Sequence, residues 1–236
     1  MSENYFWICG THPVLEVLKK RSADVKEVLL NDEEKFNQVS KIIERKKIKI
    51  LKNSDIAKKI QSQISHQGFA AKITPRVNLK KINFNKAAEN FLILDGVTDT
   101  RNVGSIIRSA VAFNFKNIIV KEREFNRKSI AMYKAAAGNL EKVNIFEYSN
   151  IKYAVNELIK NDYQIISFDS NSKNLINQST FKDKNVLIFG SEEKGISKNI
   201  LKLSHEIVKV KIYNVESLNV SNSVSAVLSI YNYLKS

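Results

Sequence analysis

The sequence has a single cysteine, Cys9, so no internal disulfide framework can organise the fold. Cys9 stands in an apolar stretch and reads as a small buried hydrophobe. Proline is almost as scarce: Pro13 and Pro75 are the only two in 236 residues, which makes the placement of Pro75 informative. No run of about 18 apolar residues occurs, so no membrane-spanning helix is expected. Met1 to Gly10 lacks a basic segment followed by an apolar one, so no signal peptide is expected either. No cluster of His, Cys and acidic residues has metal-ligand spacing, which argues against a metal site. These absences together point to a cytoplasmic protein.

What is present is a hydrophobic fraction of 43%, enough for a sizeable core, and a formal net charge of +14. A surplus of Lys and Arg attracts phosphate backbones irrespective of sequence. The same surplus would follow from a coding bias toward Lys, Asn and Ile, so charge alone does not decide for nucleic acid.

Residues 12–73 alternate helix and strand signals. His12 to Lys20 reads as a helix with Val14, Leu15 and Leu18 inward, Val25 to Leu30 as a strand, and Glu33 to Lys46 as a charged amphipathic helix. Ile48 to Leu51 is a second strand, Ser54 caps a helix to Ile60, and Gly68 to Ile73 is a third strand. Residues 1–73 thus form a small α/β domain. Around Pro75 the pattern breaks, and residues 74–90 read as a linker. From Phe91 the chain becomes strongly βα, with Phe91-Leu92-Ile93-Leu94 as a strand buried on both faces. Further strands are expected at Asn117–Lys121, Gln164–Phe168, Asn185–Phe189 and Ile207–Ile212, with helices from about Asn102 and about Asn219. Residues 91–236 therefore read as a second α/β domain with a mostly parallel sheet.

Three segments carry chemistry. The first, LDGVTDTRNVGSIIRSA from Leu94 to Ala110, stands where a buried strand meets a helix, and open α/β sheets bind ligands at the carboxyl ends of their strands. As a plain helix start it needs only Asp99 or Asn102 as cap and Gly96 for the turn. At about 100° per residue, Arg108 lies roughly 130° from the centre of the apolar stripe, compatible with solvent or a cleft. The second, LIFGSEEKG from Leu187 to Gly195, has the glycine spacing of a phosphate loop but lacks the Gly-Lys-Ser/Thr ending, and Glu192 and Glu193 would repel phosphates. An acidic glycine turn suits a cationic or hydroxyl-bearing ligand. The third, SLNVS from Ser217 to Ser221, offers Ser217 or Asn219 as a helix cap; one cap does not account for two short polar residues around Leu218.

In this order the three segments resemble the three motifs of the SpoU-type (TrmH-like) RNA 2′-O-methyltransferases. The resemblance implies a SPOUT domain with a trefoil knot, S-adenosylmethionine as cofactor, a homodimer with both subunits contributing to each site, and RNA as substrate. CGTHPV from Cys9 and HQGFA from His66 are similar to the L30e-like substrate-binding extension of the 23S rRNA guanosine-2′-O-methyltransferase subgroup. The chain has Asp99-Thr100 where the family has Asp-Pro, and its Ile212 to Leu218 stretch is shorter and without the usual Gly and Pro.

The resemblance gives Arg108 the role of base, assisted by a substrate phosphate. A guanidinium normally keeps its proton, so stabilising the developing alkoxide is the alternative role. It gives Asn102 the orientation of Arg108 or the ribose, Glu192 the positioning of its neighbours, and Ser217 and Asn219 the rest of a polar wall. Backbone groups at Gly190, Ile212 and Leu218 would hold the cofactor. Transfer RNA is the other substrate to weigh, and a non-catalytic RNA-binding or ribosome-assembly factor is the rival of a different class.

Overall fold

The computed structural model describes residues 5–84 and 89–235; residues 1–4 and residues 85–88 of the expected linker lie outside the described residues. The chain forms two compact units. One holds the described residues up to Val77 together with Arg127–Lys142, and the other holds Asn78–Asn126 and the residues from Val143 onward.

In the first unit the chain runs β1 (Phe6–Cys9), α1 (Thr11–Arg21), β2 (Val25–Leu30), α2 (Glu33–Val39), β3 (Ile48–Ile50), α3 (Asn53–Ile60) and β4 (Phe69–Ile73). The sheet order is β1-β4-β2-β3, with β4 antiparallel to both neighbours and β2 parallel to β3. Cys9, Leu29, Ile56, Ile60 and Ala70 close one core, as the apolar reading of Cys9 expects. The helix expected to reach Lys46 stops at Val39, and the chain turns on to a single 3-10 turn at Arg45–Lys47. Ser54 is not a cap: α3 starts at Asn53, and its N-cap residue Lys52 makes no side-chain bond. β1 was not expected; four residues give too short a run for alternation to register.

From Phe91 the chain continues β5 (Phe91–Asp95), α4 (Thr100–Ala112), β6 (Asn117–Lys121), α5 (Ile130–Ala136), β7 (Asn144–Tyr148), α6 (Ile151–Lys160), β8 (Gln164–Phe168), β9 (Asn185–Gly190), α7 (Lys198–Leu201), β10 (Glu206–Val208) and α8 (Val220–Lys235). The second unit's sheet is β10-β8-β9-β5-β6-β7, and every neighbouring pair is parallel. Residues 91–94 on central β5 are all buried, as helices on both faces require. Leaving β5, the chain steps outward to β6 and β7, then returns to lay β8, β9 and β10 on the other side. The direction of winding therefore reverses between β5 and β9, where an open α/β sheet leaves a crevice at the carboxyl ends.

Three expectations need correction here. The strand expected over Ile207–Ile212 ends at Val208, because the Lys209 N–H bonds to Asn174 O (2.9 Å) and the chain leaves the sheet. β7 was not anticipated. Part of the stretch read as linker is structured: Leu79 bridges to Phe146 beside β7, and buried Asn78 donates to the buried Glu147 carboxylate at 2.8 Å.

Arg127–Lys142, expected within the second domain, packs with the first unit. Ser129 caps α5 by accepting from the Met132 N–H at 3.1 Å. Gly138 follows at φ +85°, and a Cβ there would stand 2.9 Å from His12 O on α1. Arg21 fastens the segment, donating to both Glu141 carboxylate oxygens (3.0 and 3.2 Å), to Tyr133 Oη (3.0 Å) and to Asp24 (3.0 Å). Burial opposes the Arg21 charge, but Tyr133, Glu141 and Asp24 outweigh it and raise the guanidinium above its usual value. Burial likewise pushes the Tyr133 phenol up to about 12, against the pull of Arg21.

Candidate active site

The first two motif segments start on strands of the parallel sheet, β5 and β9, and the third leads into α8. α4 follows β5, and Asp99 caps it by accepting from the N–H groups of Arg101 (2.9 Å) and Asn102 (2.8 Å). This resolves the cap left open in the sequence: Asp99 holds the helix end and frees the Asn102 side chain. At the end of β9, Gly190 pairs in register with Asp95 of β5. A Cβ on Gly190 would come within 2.1 Å of the Gly195 backbone, so only glycine fits the fold-back that follows. The Ser197 N–H donates to Asp95 Oδ2 at 2.8 Å and ties that fold-back to β5.

At α8 one residue does two jobs. Asn219 Oδ1 accepts from the Ser221 N–H (3.0 Å) and the Ser221 hydroxyl (2.7 Å), which is the capping role. Its Nδ2 points the other way, donating to Glu192 Oε1 at 2.6 Å and to Asn102 Oδ1 at 3.1 Å. Asn102 Nδ2 donates to the same Glu192 oxygen at 2.9 Å. Three expected site residues, one from each segment, thus form a closed triangle of hydrogen bonds, and Glu192 Oε1 accepts two charge-assisted bonds.

Beside this triangle lies a cleft of about 490 Å³ at the carboxyl ends of β8 and β9. Gly190, Glu192, Ile212, Ser217 and Leu218, all expected site residues, line it. The stretch from Lys209 to Leu218 forms one wall, and the shortened segment still brings Ile212 and Leu218 to it. Phe168 and Phe189, stacked with ring centroids 4.8 Å apart, contribute an apolar surface. The volume suits a ligand of cofactor size.

Arg108 is set apart. It is exposed on α4, does not line the cleft, and has no hydrogen-bond or ion-pair partner among the described residues. It lies six positions after Asn102, which is about 9 Å along the axis and about 120° round the helix. Sequence reasoning missed Asp95, Phe168 and Phe189. Asp95 stood in a quoted motif, but only the fold shows what it ties down; the two phenylalanines read simply as strand residues.

Fold and cleft together define a parallel α/β protein with a candidate ligand site at the carboxyl ends of its strands. The chain belongs to the SpoU rRNA methylase family, whose profile matches residues 89–229. A second profile, RNA 2′-O ribose methyltransferase substrate binding, matches residues 7–78. A Staphylococcus aureus protein assigned to the TrmH family of tRNA/rRNA methyltransferases is 26% identical over 97% of this chain and 95% of its own length. The chain spans about half the length of other curated relatives, 55% for a Mycolicibacterium paratuberculosis protein. Among solved structures, an RNA 2′-O ribose methyltransferase superposes with a TM-score of 0.81 over 99% of this chain and 90% of its own, at 17% identity. The SpoU methyltransferase AviRb from Streptomyces viridochromogenes, solved with AdoMet, gives 0.77 over 98% and 90% at 15% identity. No described helix is long and apolar enough to cross a membrane.

Proposed function

We propose that this protein transfers a methyl group from S-adenosylmethionine to a ribose 2′-hydroxyl of RNA, with a guanosine of 23S ribosomal RNA as its substrate and transfer RNA as the alternative to be tested. The observation that carries the reading is the Asn102–Glu192–Asn219 triangle on the rim of the cleft. The donor set fits the cofactor: apolar Phe168, Leu218 and Val227 suit an adenine, and the carboxylates of Glu192 and Glu216 suit a cation and hydroxyls. Bound there, S-adenosylmethionine supplies an already activated methyl group, because the sulfonium charge disappears when the methyl leaves.

The chain's own residues have the remaining tasks. Backbone groups at Gly190, Ile212 and Leu218 hold the cofactor, and apolar walls exclude water, which favours a step that cancels charge. Asn102, Glu192, Ser217 and Asn219 form the polar wall that orients the ribose. Arg108 takes the hydroxyl proton or stabilises the developing alkoxide. Its distance and angle from Asn102 favour service in the cleft of a second copy, so the working unit is a homodimer. The strand order, with β9 laid between β5 and β8, and the tight fold-back at Gly190 favour a trefoil knot in the second unit. The first unit, L30e-like in this reading, captures RNA, in the cytoplasm.

Calorimetry with S-adenosylmethionine, followed by transfer of a labelled methyl group to deproteinised ribosomal and transfer RNA, tests the reading. Cofactor binding with transfer to ribosomal RNA is the expected result. RNA binding with no cofactor binding would leave the non-catalytic RNA-binding factor in its place.

A further inference from the structure

Gln67 is a non-glycine residue at φ +54°, a left-handed conformation that such side chains adopt only at a cost. It is exposed, so burial does not impose the strain. Its Oε1 accepts from Lys134 Nζ at 2.6 Å and from the Thr11 N–H at 3.4 Å. With the oxygen held from both sides, the amide nitrogen faces away, and its two N–H bonds have no partner among the described residues.

The surroundings keep this end of the sheet polar. Gly10 carries no Cβ, and one there would stand 2.7 Å from Lys134 Nζ; one on Gly68 would stand 2.1 Å from Asn31 Oδ1. Both glycines yield room to polar side chains and not to apolar packing. His66 Nδ1 accepts from the Gly68 N–H at 3.1 Å, which fixes the turn that presents Gln67. Lys134 comes from α5, far along the chain, so the arrangement needs the Arg127–Lys142 segment in place. An outward amide donor beside an ammonium matches an anionic ligand rich in acceptors, and Lys and Arg clearly outnumber Asp and Glu in this unit.

We propose that Gln67, aimed by Lys134, is an RNA-contact residue of the first unit, its side-chain amide donating to an acceptor of the substrate. This rests on RNA being the substrate. It adds to the substrate-binding assignment of residues 7–78 a named contact and a residue from outside that span.

Gln67→Gly separates contact from scaffold. Glycine relieves the left-handed strain, so a functional Gln67 predicts an unchanged or higher Tm. One lost hydrogen bond to RNA weakens binding by about tenfold. Affinity for deproteinised ribosomal RNA should fall by that amount with its salt slope unchanged, since no charge is removed, and S-adenosylmethionine affinity should not move. Lys134→Gln should weaken RNA binding and also reduce the salt slope by about one. RNA affinity of Gln67→Gly within about twofold of the parent, whatever its Tm, overturns the proposal. If that variant misfolds, Gln67→Asn decides instead: asparagine tolerates the conformation but is too short for the contact. A parent protein that binds neither ribosomal nor transfer RNA defeats the RNA reading itself.

Discussion

Asn219 donates to Glu192 across 2.6 Å while the far end of the same amide caps α8. The two roles separate by mutation. Asn219→Asp keeps an oxygen for the Ser221 N–H but loses the donors and sets a second carboxylate beside Glu192. We expect turnover to fall by about a hundredfold or more and Tm by only a few degrees. Asn219→Ala should lose the cap as well, at about 1 kcal/mol. Steady-state rates beside thermal melts check both. Equal turnover in Asn219→Asp and the parent would reduce the triangle to a structural feature.

Arg108→Ala should abolish methyl transfer and leave S-adenosylmethionine affinity within a few-fold, because Arg108 does not line the cleft. Arg108→Lys should fail too, since an ammonium cannot reproduce the planar fork. Near-normal turnover in either variant removes Arg108 from the reaction.

Arg108 and the triangle should act in trans. Mixing inactive Arg108→Ala with inactive Asn219→Asp, followed by subunit exchange, should restore about a quarter of parental activity, because half the dimers are mixed and each has one intact site. A mixture as inactive as its parts, with exchange verified by light scattering and differential tagging, would place the whole site within one chain.

The Arg21–Glu141 pair is buried, with 13% and 4% of the side chains exposed. Arg21→Met strands the carboxylate, and removing one partner of such a pair costs about 3–5 kcal/mol. A large drop in the urea midpoint is expected; an unchanged midpoint would show that the pair is not needed. The same packing alters what a truncation can show. The sequence alone suggests a chain starting near Asn90, since all three motifs lie beyond it. It would, however, expose Tyr133 and Leu140 and strip Leu79 from β7. A chain starting at Asn78 with residues 127–142 replaced by a short loop should keep cofactor affinity and lose most RNA affinity, measured by calorimetry and filter binding.

Tyr133 gives a pH signature. Its pKa is raised to about 12 in the fold, from about 10 for an unperturbed phenol. The unfolded chain therefore loses this proton first, and the associated stability is intact below about pH 10 and lost as pH rises toward 12. Denaturant midpoints measured across that window should fall, and Tyr133→Phe should flatten part of the fall. An equal slope in the two proteins would contradict the assignment.

The sequence made the second unit legible because its strands are continuous apolar runs, as at Phe91–Leu94 and Val186–Phe189, that suit only a buried parallel sheet. β7 escaped because Glu147 interrupts its run; its carboxylate is buried and bonded to Asn78, a contact no local pattern reports. The α5 segment had no reading of its own in the sequence, and no local pattern tells which core it fills, since Tyr133 and Met132 would suit either. In the site, segment order identified Asn102, Glu192 and Asn219, but that one amide both caps and clasps emerged only when three distant elements met.

The most direct test of the account is to incubate the purified protein with S-adenosylmethionine and deproteinised ribosomal RNA, then map alkali-resistant linkages. A methylated 2′-oxygen cannot attack its neighbouring phosphate, so one new resistant linkage, 3′ to a guanosine of 23S RNA, is predicted, and it should be absent with Arg108→Ala. Methyl incorporation with every linkage still alkali-labile would place the group on a base and contradict ribose 2′-O transfer.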